Sequence, residues 1–360
     1  MNDKHIRFLN KAHNIAKKKL GSTFPNPVVG CLIVKNNRII SKGVTASEGR
    51  PHAEEIALKK AGDKAKGSSM YVTLEPCFHN SRNGSCAEQI LRSGIKSIFI
   101  ARHDPDLRTN KKSIAKLKRN RINVSFGLTA EKTNTLNNFF FRSLKIKRPL
   151  IKVKMAISRD EKIAWSNYKS KWISNSLSRV FAHDIRMNSQ AIFTTVKTII
   201  KDNPRFTIRK ENRIIKYITT IILDNSLKIP LNCKLLKDIS KKRIIIFTSS
   251  TGKKMEYLKR IGCEIIIMKK RKNNQLNLKT LFKKIYQLKI NDILVEAGGI
   301  LFTNLLKDNL VDELHLFQSS IKIGKTGIPV ILDKKIKDLK IKQVSIKKIR
   351  NDVYQHLKLN

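Results

Sequence analysis

Acidic side chains are scarce in this chain: 27 Asp and Glu stand against 75 Lys and Arg in 360 residues, a formal net charge of +48. An excess of that size raises nucleic acid as a partner, because clustered cations displace counterions from phosphates. Here the enrichment in Lys, Asn and Ile runs through the whole chain instead of following one stripe, which fits biased base composition better than a binding face. Aromatic residues make up only 6% and leave little on which bases could stack. The sequence therefore predicts no nucleic-acid partner.

Long apolar runs are missing too. None approaches the roughly 18 residues of a membrane span, and Met1–Asn10 (MNDKHIRFLN) lacks the hydrophobic stretch of a secretory signal. The expectation is a cytoplasmic protein with no membrane partner. Cysteine is sparse: Cys31, Cys77, Cys86, Cys233 and Cys263 are odd in number and scattered, which argues against a disulfide framework and leaves metal binding open. No Gly-x-Gly-x-x-Gly follows a strand, so a Rossmann dinucleotide site has no support, and no internal repeat is found.

What is present is ordinary globular material. Hydrophobic residues make up 41%, and the length suggests two domains, each able to bury its own core. Residues 5–19 place Ile6, Leu9, Ala12, Ile15 and Ala16 on one helical stripe; Val28–Lys35 predicts a buried strand and Asn36-Asn37 a hairpin turn into Arg38–Ser41. Pro51 suits the first position of a helix over His52–Ala61. Strands are expected at Met70–Leu74 and Ser97–Ala101, with a helix at Cys86–Ser93 ended by Gly94. Such alternation predicts an α/β architecture. The basic stretch ending at Arg148-Pro149 places a boundary between domains 1–146 and 147–360. Beyond it, strands are expected at Leu150–Ile157, Ala191–Thr194, Thr219–Leu223, Arg243–Phe247, Glu264–Ile267 and Asp292–Val295, a second α/β domain.

In the first half, Pro51-His52-Ala53-Glu54 is followed by Thr73–Cys77 (TLEPC) and then Cys86. One imidazole and two thiolates are the right donors for a catalytic zinc that keeps its fourth position for water. Glu54, two residues past the imidazole, is placed to carry that water's proton to a leaving amine, as acid or base and not as a ligand. Cys86 opens a helix, where a thiolate is stabilised. A single His-x-Glu or a lone cysteine is common by chance; the order and the strand-then-helix setting carry the assignment.

At these residues, His52-Ala53-Glu54, Tyr71–Cys77 (YVTLEPC), His79 and Cys86-Ala87-Glu88, the sequence resembles the deaminase domain of the bifunctional riboflavin-biosynthesis deaminase/reductases, and Pro25–Cys31 (PNPVVGC) is similar to that family's substrate-side loop. Eight residues separate Cys77 from Cys86, where cytidine and tRNA-adenosine deaminases usually have two. His79 reads as a pocket or surface residue, since three ligands are already accounted for. Thr45 and Asp104–Leu107 depart from the family pattern at the pocket rim.

The second half carries the same resemblance at Lys152–Ala164, Ser170–Ser174, Arg179, His183, Arg186, Lys201–Arg209 and Val295–Gly299. It implies a cytidine-deaminase-like α/β/α domain followed by a dihydrofolate-reductase-like α/β domain. The activities implied are zinc-dependent deamination of a phosphorylated diaminopyrimidinone ribosylamine, then NADPH-dependent reduction of its ribosyl chain to ribityl. By resemblance, Ala156, Trp172, Thr198, Asp202, Asn225, Gly298, Gly299, Ile300, Leu301, Phe302, Thr303 and Asn304 contact the nucleotide, and Ser170, Arg186, Phe206, Arg209 and Glu296 the substrate. Arg186 and Arg209 can fork onto a sugar phosphate, and Trp172 can cover a flat ring. The resemblance also implies Zn2+ and NADPH as cofactors and a homo-oligomer, dimer or tetramer. Glu161, where the family usually has Gly after Asp, would be strained if the turn needs positive φ. Two rivals stand beside this assignment: an RNA base deaminase with a basic C-terminal module, and a deaminase whose second domain is only structural.

Overall fold

In the computed structural model, which describes residues 2–78, 84–166, 172–211, 213–271, 275–332 and 341–359, the chain divides into units Met1–Lys147 and Arg148–Asn360. The counts below refer to the described residues.

The first unit opens with α1 (Asn2–Lys17), then a hairpin of β1 (Gly30–Lys35) and β2 (Arg38–Val44). Asn36 and Asn37 both take positive φ, 48° and 62°, the conformation a tight two-residue hairpin demands and Asn tolerates. There follow α2 (Ala53–Ala61), β3 (Ser69–Val72), α3 (Cys86–Arg92), β4 (Ser97–Ile100), α4 (Lys112–Arg119), β5 (Asn123–Phe126), α5 (Ala130–Leu136) and α6 (Asn138–Ile146). The sheet runs β2-β1-β3-β4-β5, antiparallel up to β3 and parallel from β3 to β5. Side chains alternate along β1: Cys31 and Ile33 pack with Ala53, Ala57 and Met70 on one face, while Leu32 and Val34 pack with Phe8, Leu9 and Ala12 of α1 on the other. A Cβ at Gly43 would lie 1.9 Å from the Ala53 carbonyl oxygen. Only glycine lets the start of α2 approach the hairpin this closely.

The second unit contains β6 (Leu150–Ile157), β7 (Lys162–Ala164), α7 (Ser176–Met187), β8 (Ala191–Thr195), α8 (Val196–Asp202), β9 (Thr207–Lys210), β10 (Arg213–Tyr217), β11 (Thr219–Leu223), β12 (Ile244–Thr248), α9 (Lys253–Arg260), β13 (Glu264–Ile267), α10 (Leu278–Gln287), β14 (Asp292–Val295), α11 (Gly299–Lys307), β15 (Glu313–Gln318), β16 (Ile328–Pro329), β17 (Ile341–Ile349) and β18 (Asp352–Leu359). Its main sheet has nine strands in the order β13-β12-β11-β8-β14-β6-β15-β18-β17, parallel from β13 to β15 and antiparallel beyond. The central strands are near-continuous Ile, Leu, Val and Phe because helices cover both faces. All six strands expected from the sequence are present, within two residues at each end.

Two local expectations meet different outcomes. Pro51 does not open a helix: α2 begins at Ala53, because His52 is extended (φ −70°, ψ 162°) and its N–H donates to Glu55 Oε1 at 3.1 Å, making His52 the cap and leaving Pro51 outside. The suspected turn at Asp160-Glu161 does form, with Glu161 at φ 58°. Asp160 ties it down by accepting from the N–H groups of Ile323 and Gly324 at 2.9 and 2.8 Å.

Candidate active sites

Three segments converge in the first unit. His52 caps α2; Cys77 lies in the loop after β3; Cys86 begins α3, whose start is set by a reciprocal cap in which Ser85 Oγ accepts from Glu88 N–H and Glu88 Oε2 accepts from Ser85 N–H. The His52 imidazole and the two sulfurs offer donor atoms that all lie within 4.8 Å of one another. His52 Nδ1 is 3.3 Å from Cys86 Sγ, and the Cys86 N–H donates to Cys77 Sγ at 3.3 Å. Zinc bonds of about 2.0–2.3 Å hold tetrahedral donors roughly 3.3–3.8 Å apart. The donor set and its spacing fit that ion.

Electrostatics agree with the geometry. The hydrogen bond from Cys86, helped by His52, pulls the Cys77 thiol down to about 4, while the same bond and burial raise Cys86. Burial, the largest influence on His52, opposes its charge, but the contact with Cys77 and the nearby Glu54 raise it overall. Glu54 is 4% exposed, and burial pushes its carboxyl up to about 7. Such a group can hold or release a proton near neutrality.

The surrounding framework is less visible in sequence. Glu75 is buried and accepts from Ser113 Oγ at 2.8 Å and from the N–H groups of Asp104 and Lys111 at 3.2 and 3.1 Å, so it binds the β3 exit to the Asp104–Ser113 loop. Asn137 bonds both the N–H and the carbonyl of Val28, at 2.8 and 3.0 Å, and so fixes the Pro25–Cys31 loop from 109 residues away. Thr45, the rim departure, accepts from Val29 N–H at 2.9 Å and serves that same loop. His79 lies outside the described residues.

The second unit holds a cavity of about 1770 Å³. Ala156, Trp172, Thr198, Asp202, Asn225, Gly298, Gly299, Ile300, Leu301 and Asn304 line it, as do Arg186, Phe206, Arg209 and Glu296. Ser170 lies outside the described residues. Phe302 and Thr303, of the Gly298–Asn304 segment, are not among the residues that line the cavity. Both sit on α11, whose turn carries Phe302 into the main core, and the Thr303 hydroxyl accepts from Leu332 N–H at 3.1 Å. A Cβ at Gly298 would meet nothing within 4 Å, and α11 starts at Gly299 beside it. That open, amide-rich corner suits a nucleotide phosphate.

The cations of the wall are not equivalent. Arg186 is already forked onto Glu296, Nε to Oε1 at 2.5 Å and Nη2 to Oε2 at 2.7 Å, while Nη1 donates to the Thr207 carbonyl at 3.3 Å. Burial opposes the charge of Glu296, yet Arg186 holds its carboxyl down at about 2. Arg209 is exposed, its Nε on Thr207 Oγ1 at 3.1 Å and its N–H on His183 Nδ1 at 3.2 Å. The expected pair of phosphate-gripping arginines thus divides into one ion-paired and one exposed residue. Lys154, also in the wall, is a cation that the residue pattern did not single out; burial lowers its pKa.

Comparison with known proteins follows this division. Residues 2–102 match the cytidine and deoxycytidylate deaminase zinc-binding region, and residues 149–355 match the RibD C-terminal domain. The riboflavin biosynthesis protein RibD of Aquifex aeolicus is 36% identical over 355 residues, 96% of each chain. The chain belongs to the RibD family. The RibD of Actinobacillus pleuropneumoniae is 33% identical, covering 95% of this chain and 92% of that one. Among solved structures, Acinetobacter baumannii RibD superposes with a TM-score of 0.90 at 28% identity over the full length of both chains. The diaminohydroxyphosphoribosylaminopyrimidine deaminase/5-amino-6-(5-phosphoribosylamino)uracil reductase of Thermotoga maritima does so with 0.85 at 28%, covering 99% of each. As a member of that family, the chain is a bifunctional riboflavin-biosynthesis enzyme acting on a small molecule, a zinc deaminase followed by an NADPH-dependent reductase. The RNA-editing alternative falls with the RibD C-terminal match, which accounts for the half of the chain it had assigned to a binding module.

Proposed function

We propose that His52, Cys77 and Cys86 hold the zinc and that Glu54 is the proton carrier of the deaminase, in a domain spanning 1–146. The convergence of three donors from separate segments beside one buried carboxylate carries this reading. Zinc held there makes a water acidic enough to act as the nucleophile in hydrolytic deamination. Glu54 takes up a proton at its carboxylate and delivers it to the departing amine, so the pyrimidine amino group leaves as ammonia. Its burial supports the role, because a carboxyl with a pKa near neutrality both accepts and donates.

The domain 147–360 carries out the reduction. NADPH supplies the hydride, and the chain orients donor and acceptor. Ala156, Trp172, Thr198, Asp202, Asn225, Gly298–Leu301 and Asn304 hold the nucleotide. The phosphorylated pyrimidine lies against Ser170, Phe206, Arg209 and the Arg186–Glu296 pair. Arg209 grips the phosphate, and Glu296, kept ionised by Arg186, accepts from a sugar hydroxyl. The enzyme works in the cytoplasm as a homo-oligomer, dimer or tetramer, on small molecules without nucleic acid or membrane. In support, no helix among the described residues is long and apolar enough to cross a membrane. Supplying the diaminopyrimidinone substrate with NADPH, and following ammonia and nicotinamide absorbance together, tests both halves. Ammonia without NADPH consumption would leave the second domain a structural module.

A further inference from the structure

The segment Asn203–Thr207 forms one wall of the reductase cavity, in a backbone that side chains disfavour. Asn203 has φ 41° and Phe206 has φ 46°, the latter a bulky residue in the left-handed region. Such a conformation persists only where its surroundings impose it. The restraints come from residues 234–242. Arg205 is forked onto Asp238, Nε to Oδ2 at 3.0 Å and Nη2 to Oδ1 at 2.7 Å, and Asn203 Oδ1 accepts from Lys234 N–H at 2.8 Å. The Lys242 ammonium donates to the Arg205 carbonyl and lies 3.5 Å from the Phe206 carbonyl. Lys242 is only 9% exposed and Asp238 only 2%. Neither residue is in the cavity wall, yet between them they hold the Arg205 side chain and two successive carbonyls.

We propose that Lys242 and Asp238 are positioning residues of the reductase. They act on substrate binding through the Asn203–Thr207 backbone, and they set where Phe206 and Arg209 meet the substrate. The inference rests on the reading of this cavity as the substrate site. Thr207, the last residue of the segment, ties it to both arginines: its carbonyl accepts from Arg186, and its hydroxyl accepts from Arg209. Replacing Lys242 by an apolar side chain leaves two inward-facing carbonyls without their donor and releases the left-handed turn, whereas deprotonation keeps the amine's N–H groups and removes the charge that strengthens both bonds. The groups facing Lys242 are Asp238, Arg205, Cys233 and Arg186; burial outweighs them and brings the amine down to about 8. Positioning by the ammonium therefore weakens as pH rises through that value.

The test measures reductase kinetics on the deaminated intermediate, with the full-length protein, across pH 7 to 9. Lys242→Met is expected to raise the substrate KM by about 10-fold while kcat changes by less than about 3-fold, the signature of lost ground-state binding. Asp238→Asn should shift KM the same way and less. In wild type KM should rise above pH 8, and Lys242→Arg, which keeps its charge, should abolish that rise. Arg209→Ala is the control for the site. If it raises KM while Lys242→Met and the wild-type pH profile show nothing, the positioning role is wrong and the site reading stands. If Arg209→Ala also leaves KM unaltered, both fail. Should Lys242→Met not fold, Asp238→Asn decides, and an unaltered KM in that variant overturns the proposal.

Discussion

The two units build their chemistry in opposite ways. In the first, the donors of His52, Cys77 and Cys86 lie within 4.8 Å of one another, and one buried carboxylate stands beside them. In the second, the candidate groups are spread around a cavity of about 1770 Å³, from Lys154 to Asn304, and several are held by partners far away in sequence. A compact metal cluster concentrates function in a few atoms, so each is indispensable. A distributed wall shares binding among many contacts, so each loss should be partial. Substitutions in the two units should therefore differ in size and in kind.

The largest effect is expected from Cys86→Ser. It removes a thiolate donor, so zinc content and deamination should both fall below detection, while NADPH-dependent reduction of the supplied deaminated intermediate continues. Metal analysis with separate assays of the two steps checks this. Glu54→Gln comes next: zinc stays at about one per chain, and deamination drops by roughly 10²–10⁴, the usual contribution of a positioned acid or base. Equal loss of both activities would blur the contrast between the units.

In the cavity the expected losses are smaller and partly thermodynamic. Glu296→Gln strands the Arg186 guanidinium in a site where its side chain is only 18% exposed. A cost of about 3 kcal/mol, read as a lower melting temperature, is the usual scale for breaking such a pair. The pH dependence has a definite sign. Arg186 keeps Glu296 near 2, below its ordinary value of about 4.3. The stabilisation is therefore complete above pH 4.3 and is lost as pH falls toward 2. Acid titration of wild type should show this loss, and Glu296→Gln should not. The smallest effect is expected at Glu161, held at φ 58°. Glu161→Gly relieves the left-handed backbone and should raise stability by about 0.5–1 kcal/mol without altering either activity.

What could be read from the sequence follows the same division. The proposed zinc donors are legible because ligand type and order carry the chemistry, and the Asn36-Asn37 turn because Asn tolerates positive φ at both positions. The central strands are legible as uninterrupted apolar runs. Contacts between distant segments are not. Nothing near Arg186 in the chain announces that Glu296, 110 residues on, occupies its guanidinium. Asn137 supporting Val28 is equally silent. Nor does the Gly298–Asn304 segment announce which side chains face the cavity: a helix turns about 100° per residue, so Phe302 packs into the core while Ile300, Leu301 and Asn304 line the wall. Pro51 misleads for a local reason: His52 and Glu55 form the cap, and a capping box outranks proline's own preference for the first turn.

The division of labour between the two units rests on a link between bound zinc and one activity only. Graded chelation of the full-length protein, with zinc content, ammonia release and NADPH oxidation on supplied intermediate measured on the same samples, tests it. The expected result is ammonia release falling in proportion to zinc, from about one ion per chain to none, while NADPH oxidation holds constant. Full ammonia release from zinc-free protein, or a parallel fall of both activities, would contradict it.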